Sequence, residues 1–156
     1  METSGFENMK KAIQILSVLC LISQGCNEPE PISRCVIDRV EVLEIDTEYY
    51  NDDPDEGNPD LYIEFIERET QGILFTTAVA QDAQLPVDLD FVAVNIEEVD
   101  FGTEFGFTVF DADDATTQDF IALDLPFRVN DHVDAERTEV DIADGPTVIR
   151  VHLIWY

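Results

Sequence analysis

The sequence predicts an all-β fold, an eight-stranded antiparallel β-sandwich that follows an N-terminal signal segment. From Val36 onward, Val, Ile, Phe and Thr recur in short runs that are separated by clusters of Asp, Gly and Pro. Such punctuation is typical of antiparallel sandwiches. No stretch has a long helical period, and we find no internal repeat. With 156 residues, the chain suits one domain that is large enough to bury a core.

Eight segments have the composition of strands. Alternation of side chains is clearest at 61–66 and 104–109, where every second residue is a large apolar one, as expected when one face of a strand is buried. The last segment alternates in the same way and ends on Trp155 and Tyr156. In chain order, the predicted strands lie near residues 36–45, 60–68, 73–80, 87–95, 103–110, 119–124, 137–142 and 147–156.

Negative charge dominates the chain. It has 8 Lys and Arg residues against 35 Asp and Glu residues, and a formal net charge of −27. This excess argues against nucleic acid, which is bound by clustered Lys and Arg, and against electrostatic docking on anionic lipid. Cations would be attracted instead. One interpretation of the overall charge is adaptation to salty surroundings, where a carboxylate-rich surface stays soluble, but it does not explain local clusters.

The first 25 residues are predicted to be a signal peptide. Lys10 and Lys11 precede an apolar run at 12–22, which is too short to span a bilayer and has the shape of a secretory signal. Residues 1–8 are polar and atypical for such a segment, so Met9 is an alternative start.

The apolar run is followed by Ser-Gln-Gly-Cys, ending at Cys26, and this segment resembles the lipobox of bacterial lipoproteins. The resemblance implies a lipid on Cys26 and a location in the bacterial cell envelope, as an outer-membrane lipoprotein. Residues 26–35 then form the lipidated cysteine and a Pro/Glu tether, and residues 36–156 form the sandwich. The alternative is ordinary secretion with cleavage elsewhere. Since Cys20 would leave with the signal, Cys35 remains alone and should be a small buried hydrophobe without a disulfide.

Two acidic stretches, 51–60 and 111–119, each open directly into a predicted strand. In an extended segment, residues i and i+2 point the same way, so Asp111 and Asp113 can aim two carboxylates at one point, and Asp119 can supply a third. Calcium takes six to eight oxygen ligands at roughly 2.3–2.6 Å, and without a cation these carboxylates would repel one another. The alternative is a solvated acidic surface.

At these residues the chain resembles a C2 domain, the calcium- and phospholipid-binding β-sandwich, from Val40 to Trp155. The match is closest at 105–122, which has the Asp-x-Asp-x5-Asp spacing of the family. The segment 57–63 resembles its Gly-x-Ser-Asp-Pro-Tyr-Val motif, although Pro59 here precedes the aspartate. The resemblance implies one ligand at the start of the strand after the first loop, three in the later loop, and one further ligand in the first loop, for which Asp53 is preferred and Asp55 is the alternative. The candidate calcium ligands are therefore Asp53, Asp55, Asp60, Asp111, Asp113 and Asp119.

The sequence therefore predicts a lipid-anchored envelope protein whose calcium-binding domain mediates calcium-dependent binding or stabilisation. Its expected partners are the membrane, through the anchor, and a protein or a glycan. Direct phospholipid binding by the loops is less favoured, because their tips carry few apolar residues and no lysine follows Lys11. The alternative function is a metal-free structural or assembly lipoprotein that docks an envelope protein.

An enzyme is not expected. After Cys26 only one serine remains, Ser33 in the tether, so a serine nucleophile within the sandwich is excluded. His132 and His152 have no zinc-ligand spacing around them. Glycines are scattered and form no phosphate-binding loop.

Overall fold

The computed structural model describes residues 30–46, 57–112 and 119–156, and for Asp119 and Leu123 it describes the backbone alone. Ile32–Tyr156 forms one compact unit. The predicted signal peptide and Cys26 lie outside the described residues. Within those residues, no helix is long and apolar enough to cross a membrane.

Nine strands make up the described part of the chain, which confirms the predicted all-β sandwich. A short 3₁₀ helix, Glu98–Asp100, and one four-residue α-helix, α1 (Asn130–Val133), lie between strands. The strands are β1 (Arg34–Glu44), β2 (Leu61–Glu67), β3 (Gly72–Thr76), β4 (Val87–Leu89), β5 (Val94–Glu97), β6 (Phe105–Asp111), β7 (Asp119–Phe127), β8 (Glu139–Asp144) and β9 (Thr147–Trp155).

The strands form two antiparallel sheets. Sheet A has the order β4-β1-β9-β8, with β5 also paired to β1, and sheet B has the order β3-β2-β6-β7. Alternate residues of β2 and β6 belong to the core between the sheets, as the period-two pattern predicts. Leu61, Ile63 and Phe65 of β2 and Phe107 and Val109 of β6 are fully buried in this way. Removing such large apolar side chains from water is the main force that holds the two sheets together.

The predicted strand 87–95 is divided in the structure. β4 and β5 both pair with β1, and Phe91 lies between them with its ring 4.6 Å from that of Phe75 and 6.4 Å from that of Phe65. Residues 90–93 interrupt the strand, and within this segment the partly buried Phe91 ring packs against the core. At β7 the reverse holds, since this strand continues to Phe127, beyond the predicted end at 124.

Cys35 lies at the start of β1 and is completely buried, with a free thiol. Burial raises the pKa of Cys35 to about 12, so the thiol stays protonated at neutral pH. The predicted role of Cys35 as a small buried hydrophobe is confirmed.

The first strand begins and the last strand ends at one end of the sandwich, and the strand ends that border the acidic stretches lie at the other. The chain enters at Arg34, next to its own C-terminus, where the Tyr156 N–H donates to the Arg34 carbonyl over 2.9 Å. At the opposite end, β1 finishes, β2 begins, and β6 turns into β7, with Leu61 opposite Asp111 and Asp111 opposite Asp119. Both acidic stretches therefore connect to strands at the end opposite Arg34.

Truncating the central ring of the core should test this packing. Phe107→Ala is expected to lower the free energy of unfolding by about 3–5 kcal/mol, because it removes a fully buried ring that lies 4.7 Å from Phe65. Phe120→Ala makes the same change at a ring that is 53% exposed, and should cost less than half as much. Urea unfolding measures both, and equal losses would contradict the burial assigned to Phe107.

Candidate metal site

Two of the predicted ligands, Asp60 and Asp111, are brought together by the pairing of β2 with β6. Asp60 directly precedes β2, and Asp111 is the last residue of β6, opposite Leu61. The Asp60 N–H donates to Oδ1 of Asp111 over 2.9 Å, and the Ala112 N–H donates to the Asp60 carbonyl over 2.9 Å. These two hydrogen bonds join the start of β2 to the end of β6, so the Asp60 and Asp111 carboxylates lie close together.

The two carboxylates have different surroundings. The Asp111 side chain is buried, with 5% of the residue exposed, whereas Asp60 is only partly buried. Oδ1 of Asp60 accepts a 2.8 Å hydrogen bond from the Asp82 N–H. A carboxylate has about four lone-pair positions, so one N–H bond leaves room for a metal at Asp60. Both residues offer hard oxygen donors, which fit calcium.

The other four predicted ligands are not assembled by the described residues. Asp53, Asp55 and Asp113 lie outside those residues, and for Asp119 the backbone alone is described, opposite Asp111. Within 30–46, 57–112 and 119–156, no group of three or more His, Cys, Asp or Glu side chains could hold a metal. The structure thus brings two of the predicted ligands together, and the ligand set stays a prediction.

Sequence reasoning missed Asp82, which lies in the loop between β3 and β4. This loop reaches the same end of the sandwich, because Ala80 pairs with Leu61 and the Ala83 N–H donates to the Pro59 carbonyl over 2.9 Å. Asp82 has φ of 49°, in the left-handed region that Asp tolerates better than most residues. Its N–H orients the Asp60 carboxylate. No motif in the sequence indicated this contact, which depends on the folding of a third loop against β2.

The charge of the two acidic stretches is uncompensated within them. Residues 51–60 contain five Asp or Glu and residues 111–119 contain four, and neither stretch has a Lys or Arg. Since the stretches connect to strands at one end of the sandwich, their charges repel one another there. A cation at this end would relieve that repulsion.

The end of the sandwich opposite Asp60 and Asp111 contains several ion pairs. An open cavity of about 710 Å³ lies there, and four of its lining residues form ion pairs. Arg68 contacts Asp124 at 2.7 Å and Glu104 at 3.6 Å, and Arg128 pairs with the same Glu104. The Asp124 hydrogen bond raises the pKa of Arg68. Because each of these guanidinium groups is already paired with a carboxylate, we do not assign a ligand site here.

Known structures share the fold. A structure described as that of a C2 domain has a TM-score of 0.52 at 10% identity, covering 79% of this chain and 97% of that chain. The tandem C2 domains of extended synaptotagmin 2 match with a TM-score of 0.50 at 18% identity, covering 85% of this chain and 44% of that one. Human GIVD cytosolic phospholipase A2, in complex with methyl gamma-linolenyl fluorophosphonate, matches with a TM-score of 0.52 at 17% identity, covering 80% of this chain and 17% of that one.

These likenesses show that the sandwich is a C2-like domain, as the resemblance in sequence implied. At such low identities they establish the fold alone. No protein-family model and no curated protein matches the chain.

The bond between Asp60 and Asp111 predicts a difference between two substitutions in the absence of metal. Asp111→Ala removes the acceptor of the Asp60 N–H and should lower the free energy of unfolding by about 1–3 kcal/mol. Asp111→Asn keeps a carbonyl oxygen at the same position and should lose less. Thermal and urea unfolding in a chelator measure both. If the two variants lose the same stability, the negative charge matters here and the hydrogen bond does not.

Proposed function

We propose that this C2-like sandwich is the calcium-binding domain of a lipid-anchored envelope protein, and that calcium controls its stability or its binding to a partner. The observation that carries the proposal is the link between Asp60 and Asp111, which holds two predicted ligands together where both acidic stretches meet the sandwich. The domain acts by binding, and we propose no catalytic activity.

Calcium is favoured over other metals by the donor set. Zinc prefers Cys and His ligands, and neither residue type occurs in 46–60 or 111–119. Magnesium demands a near-ideal octahedron and keeps most of its waters, whereas calcium accepts six to eight oxygens in a tolerant geometry. Ligands drawn from separate loops and from a strand end suit the tolerant ion better.

The charge at the end of the sandwich where both acidic stretches join strands favours a partner other than the anchoring bilayer. Negative charge and the lack of lysine disfavour direct contact with anionic phospholipid. We therefore propose a protein or a glycan within the envelope as the partner.

A second candidate function is a metal-free structural lipoprotein that docks an envelope protein. The hydrogen bonds at Asp60 and Asp111 favour it, because backbone N–H groups already use one oxygen of each carboxylate to fasten neighbouring segments. Carboxylates that serve only as acceptors need no ion.

Calcium should raise the melting temperature of the chain from Asn27 onward, which contains the whole compact unit. A ligand that binds only the folded state adds about 2.7 kcal/mol at a hundred times its dissociation constant. We expect a rise with millimolar calcium after chelation, a smaller rise with magnesium, and no calcium-specific rise in Asp111→Asn with Asp113→Asn.

The control for this experiment is Asp131→Asn with Asp134→Asn, which removes two exposed aspartates at and just after α1. It should keep the full calcium effect, since only the total charge changes. If Asp111→Asn with Asp113→Asn keeps the whole rise in melting temperature with calcium, the calcium site lies elsewhere. Equal responses to calcium and magnesium, or none, would support the structural alternative.

The lipid anchor is tested separately. Cys26→Ala should release the protein from the membrane fraction, because the acceptor of the lipid is gone, whereas Cys20→Ala should leave it membrane-bound. Fractionation followed by immunoblotting measures both. Membrane retention of Cys26→Ala would contradict the lipobox assignment without affecting the calcium proposal.

A further inference from the structure

One edge of sheet B differs in composition from the rest of the chain. Residues 70–81 contain no charged side chain, and this is the longest uncharged run after residue 27. At the chain's 28% of charged residues, twelve positions would hold about three charges. The run contains β3 and continues along β2, with Thr77 donating its N–H to the Ile63 carbonyl over 2.9 Å and Ala80 pairing with Leu61. We call residues 72–80 the β3 edge.

The β3 edge also exposes apolar side chains. Phe65 pairs with Phe75, but the next residue, Ile66, pairs with Ile73, so Leu74 is an extra residue in a bulge. Both Ile73 and Leu74 are exposed, at 57% and 48%. Val79, farther along the same edge, is 45% exposed. Phe75 packs inward on Phe91, which anchors the edge to the core.

The other edges of the two sheets carry features that discourage strand addition, such as charges, proline and short length. On sheet B, β7 has Asp119, Asp124 and Pro126. On sheet A, β8 has three acidic residues in six, and β4 and β5 have three and four residues with one acidic residue each. Among the edges of the described sheets, the β3 edge is therefore the one that two chains could share without burying a charge.

We propose that the β3 edge is an interface at which two copies of this chain pair, with β3 antiparallel to its own copy about a two-fold axis. The net charge of the molecule favours a second copy of the chain as the partner at the β3 edge. A cationic partner would be drawn to the acidic surfaces and would gain no attraction at an uncharged strand. A second copy carries the same charge of −27 and is repelled everywhere that acidic residues face each other.

Pairing of two copies through the β3 edge avoids this repulsion between carboxylates, because an isologous contact places the same surface patch on both sides. With β3 against β3, uncharged residues lie opposite uncharged residues, and Ile73 and Leu74 of each copy can share a contact. A single pair of short strands buries little area, at the low end of specific interfaces, below about 1,200 Å². The dimer should therefore be weak and depend on concentration.

Salt provides the decisive readout. The Debye length falls from about 10 Å at 0.1 M to about 3 Å at 1 M salt, so repulsion between the copies is screened while the apolar contact persists. We expect sedimentation velocity on the chain from Asn27 onward, which contains the whole compact unit, to show a dimer fraction that rises with protein concentration and with sodium chloride. Association through ion pairs would instead weaken with salt.

Leu74→Glu should return the chain to monomer at every salt concentration, because it places a carboxylate of each copy in the contact. Ile73→Glu tests the same edge with a second variant. The matched control is Val99→Glu, the same gain of charge at a residue that is 88% exposed in the 3₁₀ helix, and it should dimerise like the parent chain. Melting temperatures show that each variant is folded.

Two results would overturn the proposal. One is a parent chain that stays monomeric at millimolar concentration in 1 M salt, as expected if the β3 edge serves only another protein. The other is a dimer that survives both Leu74→Glu and Ile73→Glu. Neither result depends on calcium binding, so this inference and the proposed function fail separately.

Discussion

Repulsion between carboxylates is the constraint on which the rest of this structure depends. With 35 acidic and 8 basic residues, the folded chain brings like charges closer than the unfolded chain does. The apolar core between the two sheets must offset this cost. Arginines placed beside carboxylates reduce it locally, as where Arg150 contacts Asp141 at 2.6 Å and Arg68 contacts Asp124 at 2.7 Å. Such exposed or partly buried pairs contribute little individually, so the core remains the dominant favourable contribution.

Asp60 and Asp111 lie close together, so their carboxylates repel each other, and backbone N–H groups offset part of this repulsion. N–H groups of Asp60 and Asp82 donate to the carboxylates of Asp111 and Asp60 and place partial positive charge beside them. The same bonds join the start of β2, the end of β6 and the loop that contains Asp82. Structural linkage and ion binding are therefore compatible uses of the same residues. A cation would add charge compensation to a framework that the backbone already holds.

The uncharged β3 edge follows from the same constraint. In a strongly acidic protein, the surfaces at which copies can approach are those without carboxylates, whereas elsewhere net charge keeps molecules apart. Adaptation to salty surroundings, one interpretation of the composition, agrees with this view. High salt screens the acidic surfaces and leaves the apolar contact intact, so the balance between separation and pairing shifts with ionic strength.

The sequence by itself determined the alternation of β2, β6 and β9, the two-layer fold and the position of Asp60 and Asp111 at strand ends. These are local properties, because a period of two and a cluster of turn residues are visible within a few positions. Only the tertiary structure decided that the predicted strand 87–95 is divided, that Asp82 contacts Asp60, and that β3 is a sheet edge. Those features depend on strand order and on contacts between distant segments. Asp60 and Asp111 are 51 residues apart and meet only because β2 pairs with β6.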